Sequence, residues 1–356
     1  MRKPKATKGD TMEKGTMEGT KKAATPETMT ANGTASEPSA DAGRGRWTDG
    51  KRVALYLAVT FVLTWAYEVF LAIPAATGAI AGVSAVTAQL LVAGAMLFPA
   101  VGVVIVRLVT REGFRGSMIR PVRFRRTWPF WLLGWFGPSV LIALGAVLWF
   151  VLNPGDFSVT ESLYATQVDA SMQVVSADYD TATTMTLLIV TQLATGVFLG
   201  PVLNIVTCFG EEWGWRGYMM PRLIARLGMG KALLAGGVIW GLWHLPLTVA
   251  GHNYGIGYAG WPFLGILAMC CFCTVTGVFL TYVTQRSGSC LPAALAHGAL
   301  NGLGSAGVLF SVSGGNAFLG PAPTGIIGGA AFIVAAIVLA FVLVKRPGIG
   351  RGAEAE

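Results

Sequence analysis

Glu211-Glu212-Trp-Gly-Trp-Arg216 places three ionisable side chains within six residues at the end of an apolar stretch. Two other apolar segments carry one histidine each, His244 and His297, and Asn301 follows His297 by one helical turn. Ionisable groups in lipid-spanning helices are costly, so they face an internal cavity and mark functional positions. A carboxylate and imidazoles can take a proton from water, and imidazole, carboxamide and guanidinium can hold a developing oxyanion. Amide hydrolysis fits this set of parts.

Glu212 and Arg216 are four residues apart, so in a helix they share a face with the acid N-terminal to the base, the favourable order for an ion pair. Glu211 is rotated by about 100° from that face. It is therefore expected to stay unpaired and to act as the base, with Arg216 neutralising and positioning Glu212. Each feature also has a structural reading: a Glu-Arg pair can lock two helices, and a membrane histidine can be a hydrogen-bonded packing residue. Their joint occurrence in three segments favours a site. Glu68, an acid in the middle of the first apolar span, is a cavity or proton-relay candidate outside the catalytic set. His252 and Asn253 fall in a short loop and are expected to be solvated and dispensable.

The elements that must position these groups follow from composition. Hydrophobic residues make up 53% of the 356-residue chain, charged residues only 12%, and 47 glycines are spread through apolar stretches. Soluble domains do not have this composition. Windows of about 19 residues place spans near 53–76, 81–106, 128–152, 184–208, 232–250, 260–284, 290–312 and 323–344. The fold expected is an all-α polytopic membrane helix bundle of about eight transmembrane helices. Residues 1–50 form a disordered cytoplasmic tail in this reading, 51–346 the membrane domain with a motif core at 184–305, and 347–356 a short second tail.

Lysines and arginines cluster before the first span and after the second, fourth, sixth and eighth, and the opposite connections carry none. The positive-inside rule then puts both termini in the cytoplasm of a multi-pass protein of the cell membrane. Residues 153–183 carry Asp156, Glu161, Asp169, Asp178 and Asp180, as suits an outward loop. Trp128, Trp131, Trp135, Trp149 and Trp261 are expected in the interfacial belts. Cys208, Cys270, Cys271, Cys273 and Cys290 show neither a disulfide framework nor a zinc-finger spacing, so packing is their expected role.

Glu-Glu-x-x-x-Arg at 211–216, the aromatic and His of Trp240-Gly-Leu-Trp-His244, and His-x-x-x-Asn at 297–301 together resemble the CPBP family. That family includes the CAAX prenyl endopeptidases and bacterial bacteriocin-processing or Abi-type immunity proteins. The resemblance covers roughly residues 184–305, with Met96-Leu-Phe-Pro99 a weaker echo. Trp240 stands where the family usually has Phe, a change expected to preserve packing. The resemblance implies an intramembrane endopeptidase cutting near the C-terminus of a membrane-associated or lipidated protein or peptide. Glu211 and His244 would activate the water, His297 and Asn301 would hold the oxyanion, and Glu212 and Arg216 would support the site. Glu211, His244 and His297 could instead complete a three-ligand zinc site, although His-Glu-x-x-His is missing; a glutamate-activated water without metal is the preferred reading. The expected partners are that substrate and the lipid bilayer, with no nucleic acid. A non-catalytic immunity or binding protein of the same fold and a proton-coupled transporter are the alternatives.

Overall fold

The computed structural model describes residues 47–174 and 180–346. The tails read as 1–50 (up to residue 46) and 347–356 lie outside the described residues. Among the described residues the secondary structure is helical, with no β-strand. The first helix, α1 (Asp49–Tyr67), starts at Asp49, inside the segment read as tail, because Thr48 caps it by accepting a hydrogen bond from the Lys51 N–H. A π-helical stretch, Glu68–Ala72, continues it. There follow α2 (Ala85–Gly94), α3 (Phe98–Thr110), α4 (Phe124–Leu152), α5 (Leu163–Val174) and α6 (Thr181–Phe198). After them come α7 (Ile205–Glu212), a second π-helical stretch (Trp213–Met219), α8 (Met220–Leu227), α9 (Met229–Trp243), α10 (Phe263–Ser287), α11 (Leu291–Leu303) and α12 (Ala330–Lys345).

Among the described residues, six helical stretches are long and apolar enough to cross a membrane: Asp49–Ala76, Ala85–Thr110, Phe124–Leu152, Thr181–Phe198, Phe263–Ser287 and Leu291–Phe310. The other two expected spans are shorter apolar helices, α9 and α12. α9 stops because His244 leaves helical geometry, and a short turn, Leu245–Val249, carries the chain on. The expected span 184–208 is likewise interrupted: α6 ends at Phe198, the turn Gly200–Leu203 intervenes, and α7 restarts at Ile205. Pro201, which has no N–H to give to a continuing helix, explains that break. Large apolar side chains such as Val62, Leu90, Leu144 and Val338 are exposed around the bundle, as a lipid-facing surface requires.

The arginine-rich connections gather at one end of the bundle. There Glu112, just after α3, pairs with Arg52 of α1 at 3.0 Å, Arg222 of α8 at 2.9 Å and Arg107 of α3 at 3.8 Å. Deeper in, α9 and α10 pack backbone to backbone through glycine. A β-carbon at Gly241 would lie 2.5 Å from the Cα of Cys270, so only glycine lets α9 bring His244 this close to α10.

At the other end, Trp149 and Asp156 are bonded to each other. The Trp149 indole donates to Asp156 at 2.8 Å, and Asp156 also accepts from the Ser311 hydroxyl at 2.7 Å and the Ser313 N–H at 2.8 Å. Partial burial opposes ionisation, but these donors outweigh it and hold the carboxyl below its ordinary value of 3.8. Asp180 caps α6 by accepting from the Thr183 N–H at 2.8 Å.

Asp156→Ala should lower the unfolding free energy in detergent by about 1–2 kcal/mol. Because the folded value is depressed, this contribution is complete above the ordinary aspartate value and is lost as the pH falls through the folded one. Thermal melts of wild type and variant across pH 2–7 (an order-of-magnitude window) are expected to converge at the acid end.

Candidate active site

The helix-spacing argument holds for Glu212 and Arg216: Arg216 Nη1 donates to Glu212 Oε1 at 3.0 Å although the intervening residues are π-helical, and both side chains are buried. The same Glu212 oxygen receives His297 Nδ1 of α11 at 2.9 Å. Glu212 is thus the joint between two helices, with cations or donors on either side.

Glu211 is not unpaired, and this corrects the sequence expectation. Its Oε2 accepts two indole hydrogens, from Trp215 Nε1 at 3.1 Å and from Trp240 Nε1 at 2.6 Å. Trp215 is four residues along the same strand of sequence, on the following π-helical stretch, whereas Trp240 comes from α9. A charged carboxylate with no solvent needs donors, and the two indoles supply them at one oxygen. The other, Oε1, takes no hydrogen bond and is the one available to a substrate or a water.

Trp240 is accordingly more than a packing substitute for Phe. Besides donating to Glu211, its ring lies 4.1 Å beneath the Arg216 guanidinium and 5.4 Å, edge on, from His297. Its carbonyl oxygen receives His244 Nδ1 at 2.9 Å. A carbonyl can only accept, so Nδ1 of His244 carries the proton and Nε2 is left bare. One residue therefore contacts Glu211, the guanidinium and both histidines. It was missed as a polar group because only the tertiary fold brings its N–H to Glu211.

Asn301 sits at the open side of this group, exposed, with weak sulfur partners: Nδ2 is 3.5 Å from Cys208 Sγ and 3.9 Å from Met96 Sδ. Such donors are readily exchanged for a better acceptor. Cys273 Sγ lies 3.9 Å from His244 Nδ1. Cys208 and Cys273 thus line the site, and all five cysteines are free. His252, read as a detached loop residue, is exposed, yet its ring stacks parallel to that of His244 with centroids 6.4 Å apart. The structure joins Glu211, Glu212, Arg216, Trp240, His244 and His297 by direct contacts and sets Asn301 one helical turn beyond His297.

Among the described residues no group of three or more His, Cys, Asp or Glu side chains comes together as a metal ion requires. The set Glu211, His244 and His297 does not fit a three-ligand site in this geometry, and Cys270-Cys271-Phe-Cys273 forms no cluster either. On the side of the arginine knot the site is closed by Tyr56, Trp215, Tyr218 and Met219, each no more than 1% exposed. A groove of about 730 Å³ runs along α6 past Asn204 to Gly302, the residue after Asn301.

Residues 191–303, which contain every residue of this group, match the family model described as Type II CAAX prenyl endopeptidase Rce1-like. A CAAX prenyl protease 2 from Methanococcus maripaludis is 33% identical over 84 residues, 22% of this chain. The match spans 28% of that relative's length.

Trp240→Phe keeps the ring but leaves Glu211 with one donor, so it should cost about 1.5–3 kcal/mol of stability. In the Glu211→Gln background the same change should cost much less, a coupling of about 0.5–3 kcal/mol. Additive losses in that double-mutant cycle, read by denaturant or thermal unfolding, would show that the indole does not serve the carboxylate.

Proposed function

We propose, from the match of residues 191–303 to the Rce1-like family model, that the protein is a CAAX-type intramembrane endopeptidase of the CPBP family. Its substrate would be a membrane-associated or lipidated protein or peptide, cut near the C-terminus. The observation that carries this reading is the asymmetry between the two adjacent carboxylates. Glu212 is tied to Arg216 and His297, whereas Glu211 keeps Oε1 free while two indoles hold Oε2.

In this reading Glu211 Oε1 takes a proton from water while the bare Nε2 of His244 accepts the water's other hydrogen and orients it. The hydroxide adds to the scissile carbonyl carbon, and the negative charge moves to its oxygen. His297 and Asn301 meet that oxygen. With Nδ1–H given to Glu212, His297 can donate only from a protonated Nε2, and Glu212 is the counter-charge for that form. Collapse of the intermediate breaks the C–N bond, and the proton on Glu211 passes to the departing amine. The groove beside Gly302 suits the apolar chain of a lipidated substrate approaching Asn301 from the bilayer. A metal is not required by any of these steps. An orientation with both termini cytoplasmic belongs to the same reading, supported by the gathering of arginines at one end of the bundle.

The test is hydrolysis of a synthetic prenylated peptide ending in a CAAX sequence by the full-length protein in liposomes. Wild type should release the C-terminal tripeptide, Glu211→Gln should fall to background, and Asn301→Ala should lose about 10²–10³ in turnover. Metal-depleted protein assayed with a chelator should stay active. Cleavage by Glu211→Gln at the wild-type rate would sink the assignment, and loss of activity on metal removal would replace the metal-free base with an obligatory ion.

A further inference from the structure

The connection from α3 to α4 concentrates positive charge that the site chemistry above does not use. Arg111, Arg115, Arg120, Arg123, Arg125 and Arg126 fall within sixteen residues, and no Asp or Glu follows Glu112 until Asp156. Glu112 itself is already paired with Arg52, Arg107 and Arg222. All six arginines are exposed. Among the described residues no carboxylate pairs with Arg111, Arg115, Arg120, Arg125 or Arg126.

The charge does not stand alone. An apolar residue directly precedes three of these arginines, as Phe114-Arg115, Ile119-Arg120 and Phe124-Arg125, and Trp128 follows in the next turn of α4. Phe114, Phe124 and Trp128 are 47%, 53% and 49% exposed, and Ile119 is exposed with them. The helices on either side, within Ala85–Thr110 and Phe124–Leu152, are both long and apolar enough to span, so their connection stands at a membrane surface. Cations and exposed aromatic rings side by side at that level meet headgroups and the upper ends of acyl chains.

The segment is held in one shape by its neighbours. Arg111, Met118 and Arg123 have left-handed φ values of 55°, 56° and 44°, a region that residues other than glycine enter only where surrounding contacts impose it. Those contacts are present. Arg107 donates to the Gly113 carbonyl, and the Ser117 hydroxyl donates to that of Phe114. The Met118 carbonyl accepts from the Cys290 N–H at 2.8 Å and from the Ser289 hydroxyl at 3.3 Å, and Thr127 donates to the Val122 carbonyl at 3.0 Å. Ser117 and Thr127 are each 4% exposed. The small polar side chains thus tie the segment inward and leave the arginines and the rings outside, already ordered for a partner.

Charge that only retains a loop on one side of a membrane can be lysine or arginine and needs no aromatic companions. Here every cation from Arg107 to Arg126 is arginine, whose planar fork binds phosphate oxygens in pairs. Arg125 and Arg126 also lie in the first turn of α4, where the helix dipole disfavours cations, so the helix itself does not favour their position. We propose that residues 111–128 form a docking surface for anionic phospholipid headgroups. Arg115, Arg120, Arg125 and Arg126 take the phosphates, while Phe124 and Trp128 lie among the upper acyl chains. An acidic protein would engage the charge and make no use of rings at membrane level. The inference does not rest on the hydrolytic reading above.

Native mass spectrometry of the full-length protein, released from micelles holding equal amounts of phosphatidylglycerol and phosphatidylcholine, tests the surface. Wild type should retain phosphatidylglycerol in preference. The combined variant Arg115→Gln, Arg120→Gln, Arg125→Gln and Arg126→Gln should lose about tenfold of that preference. Its melting temperature in phosphatidylcholine should match wild type, because these four side chains are exposed and make no ion pair. Lysine at the same four positions keeps the charge, and with it the insertion topology, and should restore most of the preference. No preference in wild type overturns the proposal, as does an undiminished preference in the Gln variant or a Lys variant no better than the Gln one. Inorganic phosphate raising the wild-type melting temperature as much as phosphatidylglycerol does would make this a free-anion site. Polyglutamate bound by a wild type that shows no lipid preference would make it a protein-docking one, and either result overturns the lipid assignment.

Discussion

A carboxylate kept away from water must be given donors or a counter-charge, and in this bundle two adjacent carboxylates are given different ones. Glu212 receives a guanidinium and an imidazole at a single oxygen. Glu211 receives two neutral indoles, also at a single oxygen. That difference depends on α9 arriving at the right height and rotation, because Trp240 supplies the second indole. The close approach of α9 to α10 at Gly241 sets that height, and the break at His244 then turns the imidazole back onto the Trp240 carbonyl. Each of the three motif segments thus carries part of the hydrogen bonding of another.

The chemistry follows from which atoms remain unused. Glu211 Oε1, the bare nitrogen of His244 and the loosely held amide of Asn301 are the groups without strong partners, and they are the ones that the proposed hydrolysis engages. The groups with strong partners, Glu212 and Arg216, set the positions of the others. This division between committed and uncommitted polar atoms is the reason a peptidase reading accounts for the site better than a structural ion pair would. A helix lock would need Glu212 and Arg216 alone and would leave no use for a second buried carboxylate beside them.

Helix α1 is held beside the site by contacts of the same kind. Thr64 accepts from the Trp243 indole and anchors the helix, while Gly102 and Gly214 let neighbouring backbone pack directly onto the Thr60 and Tyr56 hydroxyls. Arg52, Tyr56, Thr60, Thr64 and Glu68 recur in the sequence with a plain four-residue period, yet Glu68 viewed singly reads as an isolated acid.

How much was legible in the chain varies with the range of the interaction. Apolar composition determined the helical membrane class, because a chain this poor in charge can satisfy its backbone in lipid only within helices or closed barrels. Four-residue spacing determined the Glu212–Arg216 pair and placed Asn301 beyond His297, since both are consequences of one helix turn. Interrupted spans were harder: Pro201 and His244 divide segments whose hydropathy is continuous. Only the tertiary structure decided that Glu211 is held by Trp240, twenty-nine residues away, that His297 reaches back to Glu212 across eighty-five, and that Asp156 pins the far end of the bundle. Those contacts depend on the depth and rotation at which separate helices meet, which packing sets at positions such as Gly241 and which no local period encodes.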